Sequence, residues 1–220
     1  MRISIMQPYF LPYAGYFRLM CGVDAFVVLD DVQFPRGGWV HRNRLARGDG
    51  SLGWLTLPLL RQPVTGTIVQ AALRRDALDG EWPRRVAAFP AGRWALDQAG
   101  PAAGLVRLDS HDLAGNLLRS LHICADSLGM RVPFVRSSEL AHDRDLKGHE
   151  RIIAICRLLG ATRYLNAPAG RHLYDVAQFA RHGIALEFLP DYRGDPASIL
   201  QRLFEMPVAD IRHEIVDNMT

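Results

Sequence analysis

The stretch Met6-Gln7-Pro8-Tyr9-Phe10-Leu11-Pro12-Tyr13-Ala14-Gly15-Tyr16-Phe17 constrains the fold more than any other. It follows the apolar run Ile3-Ser4-Ile5, which reads as a first strand over residues 3–6. It leads into Phe17-Arg18-Leu19-Met20, the start of a helix reaching about Gly22. Pro8 and Pro12 fix φ and lack backbone donors, so the connection is stiff and not helical. A strand that turns into a helix through such a corner is the opening unit of an α/β sheet. In open sheets of that kind ligands bind outside the carboxyl ends of the strands. Gly15 leaves room for a ligand or a backbone to come close. Of Tyr9, Tyr13 and Tyr16 at least one is expected to pack on the core, but three ring hydroxyls in so short a segment are a lot of polarity to hide.

The remaining chain fits that opening. Residues 24–29 are β-rich and read as a second parallel strand, ending in Asp30-Asp31-Val32-Gln33-Phe34-Pro35. Residues 36–71 read as a β-rich excursion. It contains Trp39-Val40-His41-Arg42-Asn43-Arg44-Leu45, a turn at 47–50, and a strand at 53–59 with 66–69 as its partner. Helical segments broken by Pro83 and Pro90 follow over 72–100. A helix over 113–124, with Asp112 as cap and Gly129 as stop, precedes a strand at 132–135. Ile152, Ile153, Ile155, Leu158 and Leu159 mark an amphipathic helix stopped by Gly160. Strand 162–165, helix 174–182, strand 184–189 and a helical tail divided by Pro207 complete the chain. Helix–strand alternation with short loops is the mark of a parallel sheet covered on both faces. The expected class is α/β, a Rossmann-like, mostly parallel sheet with helices on both faces and the excursion near 36–71, in one domain over 1–220.

Composition excludes several functions. Of 220 residues 49% are hydrophobic and 22% charged, which suits a globular protein with a proper core. The formal charge of +3 comes from scattered arginines and the sole lysine, Lys147. Without a basic face, no nucleic-acid partner is expected. No apolar run suits a signal peptide or a membrane span, so the expected location is cytoplasmic. Cys21, Cys124 and Cys156 lack metal spacing and sit in apolar segments, so they read as reduced, non-catalytic thiols. There is no Walker loop, no GxGxxG, no HExxH and no zinc-type His–Cys set, and neither a metal nor another cofactor is expected.

The opening stretch, Asp30-Asp31-Val32-Gln33-Phe34 and Trp39-Val40-His41-Arg42-Asn43-Arg44, together with Leu158-Leu159-Gly160-Ala161-Thr162-Arg163-Tyr164, resemble the WbqC-like family. His41 stands where that family usually has a polar amide, and the serine-rich start of a C-terminal helix is missing. The resemblance implies a setting in O-antigen and related bacterial surface-polysaccharide synthesis. There the implied role is modification of sugar precursors, by acyl or aminoacyl transfer to an amino sugar or similar amine. The strand–corner–helix unit also looks like the HIGH-type nucleotidyltransferases. Tyrosines occupy the positions of their phosphate-holding histidines, so the fold is carried over and the adenylylation chemistry is not.

The candidate catalytic residues are Asp30, Asp31 and His149. Asp30 and Asp31 lie at a strand's carboxyl end, where one could hold a cation or act as general base, its neighbour facing away. His149, beside Lys147 at a helix start, is the best-placed histidine for acid–base work, and Lys147 would help hold an anion. The plain alternative is an exposed histidine. The candidate binding residues are Gln7, Tyr9, Tyr13, Gln33, Trp39, Arg42, Asn43 and Arg44. On a strand, Arg42 and Arg44 share a face and clamp a phosphate or carboxylate, while Asn43 points away and braces the Asp30-Asp31 turn. On a helix they splay, and a solvated pair beside a packed Trp39 is the plain alternative. Gln7, Tyr9, Asp30 or Asp31, and Arg42 are expected to converge on one cleft. The partner is then a small anionic substrate, a nucleotide sugar or an acyl carrier thioester, and the protein a transferase. The other reading is a non-catalytic partner of a carrier protein or glycosyltransferase, working through an exposed aromatic patch at Trp82, Phe89 and Trp94.

Overall fold

A computed structural model describes residues 1–219 of the chain. Its strands are β1 (Arg2–Met6), β2 (Ala25–Val28), β3 (Arg42–Ala46), β4 (Leu52–Thr56), β5 (Phe134–Arg136), β6 (Arg163–Asn166) and β7 (Ala185–Phe188). The helices are α1 (Ala14–Phe17), α2 (Trp82–Ala87), α3 (Pro90–Asp97), α4 (Pro101–Val106), α5 (Leu113–Ser127), α6 (Gly148–Leu158), α7 (Val176–Ala180), α8 (Ile199–Glu205) and α9 (Val208–Asp217). A five-stranded sheet runs in the order β5-β2-β1-β6-β7, and all its pairings are parallel. In chain order within the sheet this is 3-2-1-4-5, a doubly wound arrangement whose order reverses beside β1. The proline–tyrosine corner leaves β1 at that switch point.

Strand alternation sorts the core into two layers. Ile3, Ile5, Ala25 and Val27 meet Ile152, Ile155 and Cys156 of α6 and Phe179 of α7 on one face. Phe26, Val28 and Leu165 face the larger core, with Phe17 of α1, Leu117 and Leu121 of α5, Ile199 of α8 and Ile211 of α9. Both faces are therefore covered, as a parallel sheet requires. Arg18 ties this larger layer together. It is 1% exposed, lies over the Tyr192 ring, and donates through Nη1 to Pro190 O at 3.0 Å and Asn218 O at 2.6 Å. Asn218 closes α9, so the buried guanidinium meets the negative end of that helix dipole.

Several elements depart from the sequence expectation. The first helix stops at Phe17 and gives way to a 3-10 turn, Arg18–Met20. The helix expected from 174 starts at Val176 because the Asp175 side chain accepts the Ala177 N–H. β4 does not pair with residues 66–69. Its partner is β3, through a turn closed by Arg47 N–H to Ser51 O and Gly50 N–H to Arg47 O. Gly50 supplies the positive φ of 81° that this turn needs. Residues 66–69 instead pair with the chain after β2, where Phe34 N–H donates to Gly66 O and Ile68 N–H to Val32 O.

The patch expected at Trp82, Phe89 and Trp94 is not a surface. Trp82 and Phe89 are 2% and 4% exposed, and Trp94 packs on the Phe204 ring. All three cysteines are free. Burial raises the thiol pKa of Cys21 and Cys124 and pushes Cys156 up to about 12, which disfavours the nucleophilic thiolate.

Candidate functional site

The corner after β1 holds a strained backbone. Leu11 has φ 47°, the left-handed region that a branched aliphatic residue rarely adopts. Such a residue costs about 1–3 kcal/mol and persists where its surroundings over-determine it. The restraint comes from remote segments. Asn43 Nδ2 donates to Phe10 O at 3.1 Å and Leu11 O at 2.6 Å, and Ser198 Oγ donates to Leu11 O at 2.9 Å. Phe10 N–H donates to Trp39 O, and Ile199 N–H to Pro12 O. Asn43 does point away from its neighbouring arginines, but it braces this corner and not the Asp30-Asp31 turn.

Tyr16 is the tyrosine that packs inside. It is buried, its hydroxyl donates to Gln7 O at 2.9 Å, and burial holds its pKa well above 10.0. Gly15 is required by side chains and not by a ligand. A Cβ there would lie 2.3 Å from Tyr13 Cε2 and 2.7 Å from Tyr192 Cγ.

A cavity of about 520 Å³ opens between the corner, the free edge of β3 and the loop before α8. Tyr9, Tyr13, Trp39, Asn43, Arg44, Asp195 and Gln201 line it. Gln201 Oε1 accepts the Ala46 N–H at 3.3 Å and so pins the edge of β3 to α8. Among the described residues, no hydrogen bond takes up the hydroxyls of Tyr9 and Tyr13. Burial raises both phenol pKa values, so both rings present neutral donor–acceptor groups.

The hairpin supplies charge and rings. Arg44 and Trp54 are direct partners across β3 and β4 and share a face. The Arg44 guanidinium lies 5.6 Å from the Trp54 ring and 5.9 Å from the Trp39 ring, and the two indoles are 5.4 Å apart. Arg42 stacks on Trp54 at 4.3 Å and donates to Gly37 O, so it stands outside the cavity wall.

The expected convergence of Gln7, Tyr9, Asp30 or Asp31, and Arg42 on one cleft does not occur, since of these Tyr9 alone lines the cavity. Tyr9, Tyr13, Trp39, Asn43 and Arg44 meet at the cavity, whereas Gln7, Asp30, Asp31, Gln33 and Arg42 do not line it. Gln33 is exposed and donates to Val64 O. Asp30 and Asp31 do not face opposite ways, because β2 ends at Val28 and both turn toward the segment after β5. Asp30 accepts from Arg136 Nε at 2.8 Å, Ser138 N–H at 3.0 Å and Ser138 Oγ at 2.9 Å. Asp31 accepts from Ser137 Oγ at 2.5 Å and meets His142 Nε2 at 2.8 Å and Arg144 Nη1. Burial opposes the Asp31 charge, but Ser137, Arg144, His142 and Arg151 outweigh it and hold its pKa below the usual carboxylate range. Lys147 is exposed at the start of α6. His149 lines a separate groove of about 390 Å³ between α6 and α7, with Arg157, Arg181 and His182.

Asp195 is the carboxylate in the cavity wall, and the sequence reading did not single it out. Its Oδ1 accepts the Ala197 N–H at 2.8 Å and its Oδ2 accepts from Arg202 Nη1 at 2.7 Å. Arg202 also donates to Glu214, which accepts a hydrogen bond from the Tyr192 hydroxyl. A Cβ at Gly194 would sit 2.3 Å from Glu214 Oε1 and 2.5 Å from Tyr192 Cζ, so a larger residue here requires this hydrogen-bonded pair to move. The available signal was Gly194-Asp195-Pro196, an acid in a tight turn after the last strand.

Among the described residues, no three His, Cys, Asp or Glu side chains are grouped so as to hold a metal ion. No helix there is long and apolar enough to cross a membrane. A doubly wound parallel sheet with a polar, aromatic cavity beside its switch point defines the class of protein. The chain belongs to the WbqC-like protein family, whose model matches residues 7–197. It is 27% identical over 202 residues to a Mycobacterium tuberculosis protein described as uncharacterized protein Rv1507c, covering 88% of this chain and 83% of that one. No solved structure matches the chain.

Proposed function

We propose that the protein is a transferase of bacterial surface-polysaccharide or related sugar-precursor synthesis, passing an acyl or aminoacyl group to an amino sugar or similar amine. The observation that carries this reading is the cavity itself, where the phenols of Tyr9 and Tyr13, an indole and an arginine share one wall system beside the corner that leaves β1. In this reading Trp39 stacks on a base or sugar ring. Arg44 takes a phosphate, and the hydroxyls of Tyr9 and Tyr13 orient the sugar by hydrogen bonds that need no change of protonation. Asp30 and Asp31 serve as the frame that holds β2 to the turn after β5. His149 belongs to the second groove.

Calorimetric titration with UDP-glucose, UDP-N-acetylglucosamine and an acyl-coenzyme A thioester tests the reading. At least one is expected to bind, and Arg44→Ala to weaken it at least tenfold, about 1.4 kcal/mol. Arg44→Lys is expected to recover little, because an ammonium lacks the planar fork. Binding of none of them, or an unchanged affinity in Arg44→Ala, overturns it. A second reading, docking of a carrier protein, rests on a different surface from the one first expected. Trp39, Trp54 and Leu52 are 39%, 44% and 62% exposed on the hairpin.

A further inference from the structure

We infer that Asp195 is a specificity residue that reads a protonated amine on the ligand of the tyrosine–tryptophan cavity. The inference rests on the reading of that cavity as a sugar-nucleotide site and adds which sugars it selects. A carboxylate offers about four lone-pair directions. In Asp195 one on each oxygen is in use, for Ala197 N–H and for Arg202 Nη1. The side chain is nonetheless 43% exposed, on the wall of the cavity. It therefore keeps acceptor capacity on the side that a ligand would enter.

Charge balance points the same way. The Arg202 guanidinium is 7% exposed and is shared between Asp195 and Glu214. One buried cation thus faces two carboxylates, and the Asp195 end is the more exposed of the two. Glu214 is further occupied by the Tyr192 hydroxyl. The buried guanidinium of Arg18 lies over the Tyr192 ring and donates to carbonyls, so it offers Asp195 no counter-charge. Within the cavity wall Arg44 supplies positive charge from the hairpin and Asp195 supplies negative charge from the loop before α8. The hydroxyls of Tyr9 and Tyr13 come from the corner between these two segments in the wall. A ligand matching that pattern carries an anionic group at one end and an ammonium at the other, as an amino-sugar nucleotide does. The same sugar with its amine acylated would lose the charge and place a neutral amide against the carboxylate. A substrate with a free amine would then be held and its acylated form released.

The experiment is a pair of calorimetric titrations of the full chain, with UDP-glucosamine and with UDP-N-acetylglucosamine, at a pH where the free amine is protonated. The wild type is expected to bind the amine form at least tenfold tighter. Asp195→Asn, which keeps one oxygen for the Ala197 N–H and gives up the second acceptor that faces Arg202, is expected to bring that preference below twofold. Asp195→Glu restores the charge and is expected to regain part of the preference, which separates lost charge from a disturbed loop. Equal wild-type binding of the two sugars, or a preference that survives in Asp195→Asn, overturns the inference and leaves the cavity reading standing. Binding of neither sugar nucleotide overturns both.

Discussion

Replacing Asn43 tests whether the strained corner is held from outside. Asn43 is 8% exposed, and its amide donates to Phe10 O and Leu11 O at 3.1 and 2.6 Å while its oxygen accepts the Arg44 N–H at 2.7 Å. In Asn43→Ala, Leu11 O keeps the Ser198 hydroxyl, but Phe10 O loses a partner in a buried site. A buried group left unpaired costs about 1–3 kcal/mol, and a replaceable hydrogen bond about 1 kcal/mol. Relaxation of Leu11 out of its φ of 47° returns part of that, so the expected loss is about 2–3 kcal/mol. Urea denaturation followed by tryptophan fluorescence measures it. At a slope near 2 kcal/mol/M the midpoint falls by about 1–1.5 M. Asn43→Asp is expected to be worse than Ala, since it sets a charge against two carbonyl oxygens. Ser198→Ala alone should cost about 1 kcal/mol. The double variant Asn43→Ala/Ser198→Ala should exceed the sum of the singles by at least about 0.5 kcal/mol, because only then is Leu11 O orphaned. Additive singles, or an Asn43→Ala loss below about 0.5 kcal/mol, would show that the corner keeps its shape without the clamp.

Two further perturbations probe the frame. Gly15→Ala sets a methyl 2.3 Å from the Tyr13 ring and should lower stability by about 1–3 kcal/mol; an unchanged thermal midpoint would mean that the two tyrosine rings yield freely. Asp31 has a depressed folded pKa, so its contribution is complete above its unfolded value of about 3.9 and is lost as pH falls through the folded one. The stability gap between wild type and Asp31→Asn, measured in urea at neutral and at strongly acidic pH, should therefore shrink in acid, and a gap constant across pH refutes the assignment.

What was legible in the sequence was what is local. Ile3 and Ile5 alternate against Ser4, and Ile152, Ile155 and Cys156 repeat along one helix face; these patterns state the sheet and its covering without reference to distant residues. The pairing of 66–69 was misplaced because strand partners are set by tertiary contact, and the short turn at 47–50 joins β4 to β3 instead. The aromatic and amide members of the site, Tyr9, Tyr13, Trp39 and Asn43, were visible as polarity concentrated at a corner. Asp30 and Asp31 looked like pocket carboxylates because acids at a strand end have few local partners. The partners arrive from Arg136, Ser137 and Ser138, over a hundred positions along the chain. Asp195 escaped notice because its loop has no periodicity and its partner Arg202 lies on the buried side of a helix.

The same residues clamp the corner and wall the cavity, and this bears on how a ligand is met. Asn43 lines the cavity and grips Leu11, while Ser198 grips Leu11 from the position after the wall residue Ala197. Tyr13 is set between them, its ring against Tyr192 at 5.2 Å. The corner and the loop before α8 are therefore fixed to each other before any ligand arrives, which lowers the ordering cost of binding. The hairpin wall is held differently. Its outer face carries Arg44, Trp54 and Leu52 toward solvent, and its edge meets α8 through the Gln201 side chain. β3 is already tied to the corner by Asn43 and to α8 by Gln201, so a ligand that bridges Arg44 and Asp195 would add its link on the outer face of a strand held from its inner one. Amide hydrogen exchange should then slow most over 52–56 of β4, with the corner and β3 amides already protected in the free protein.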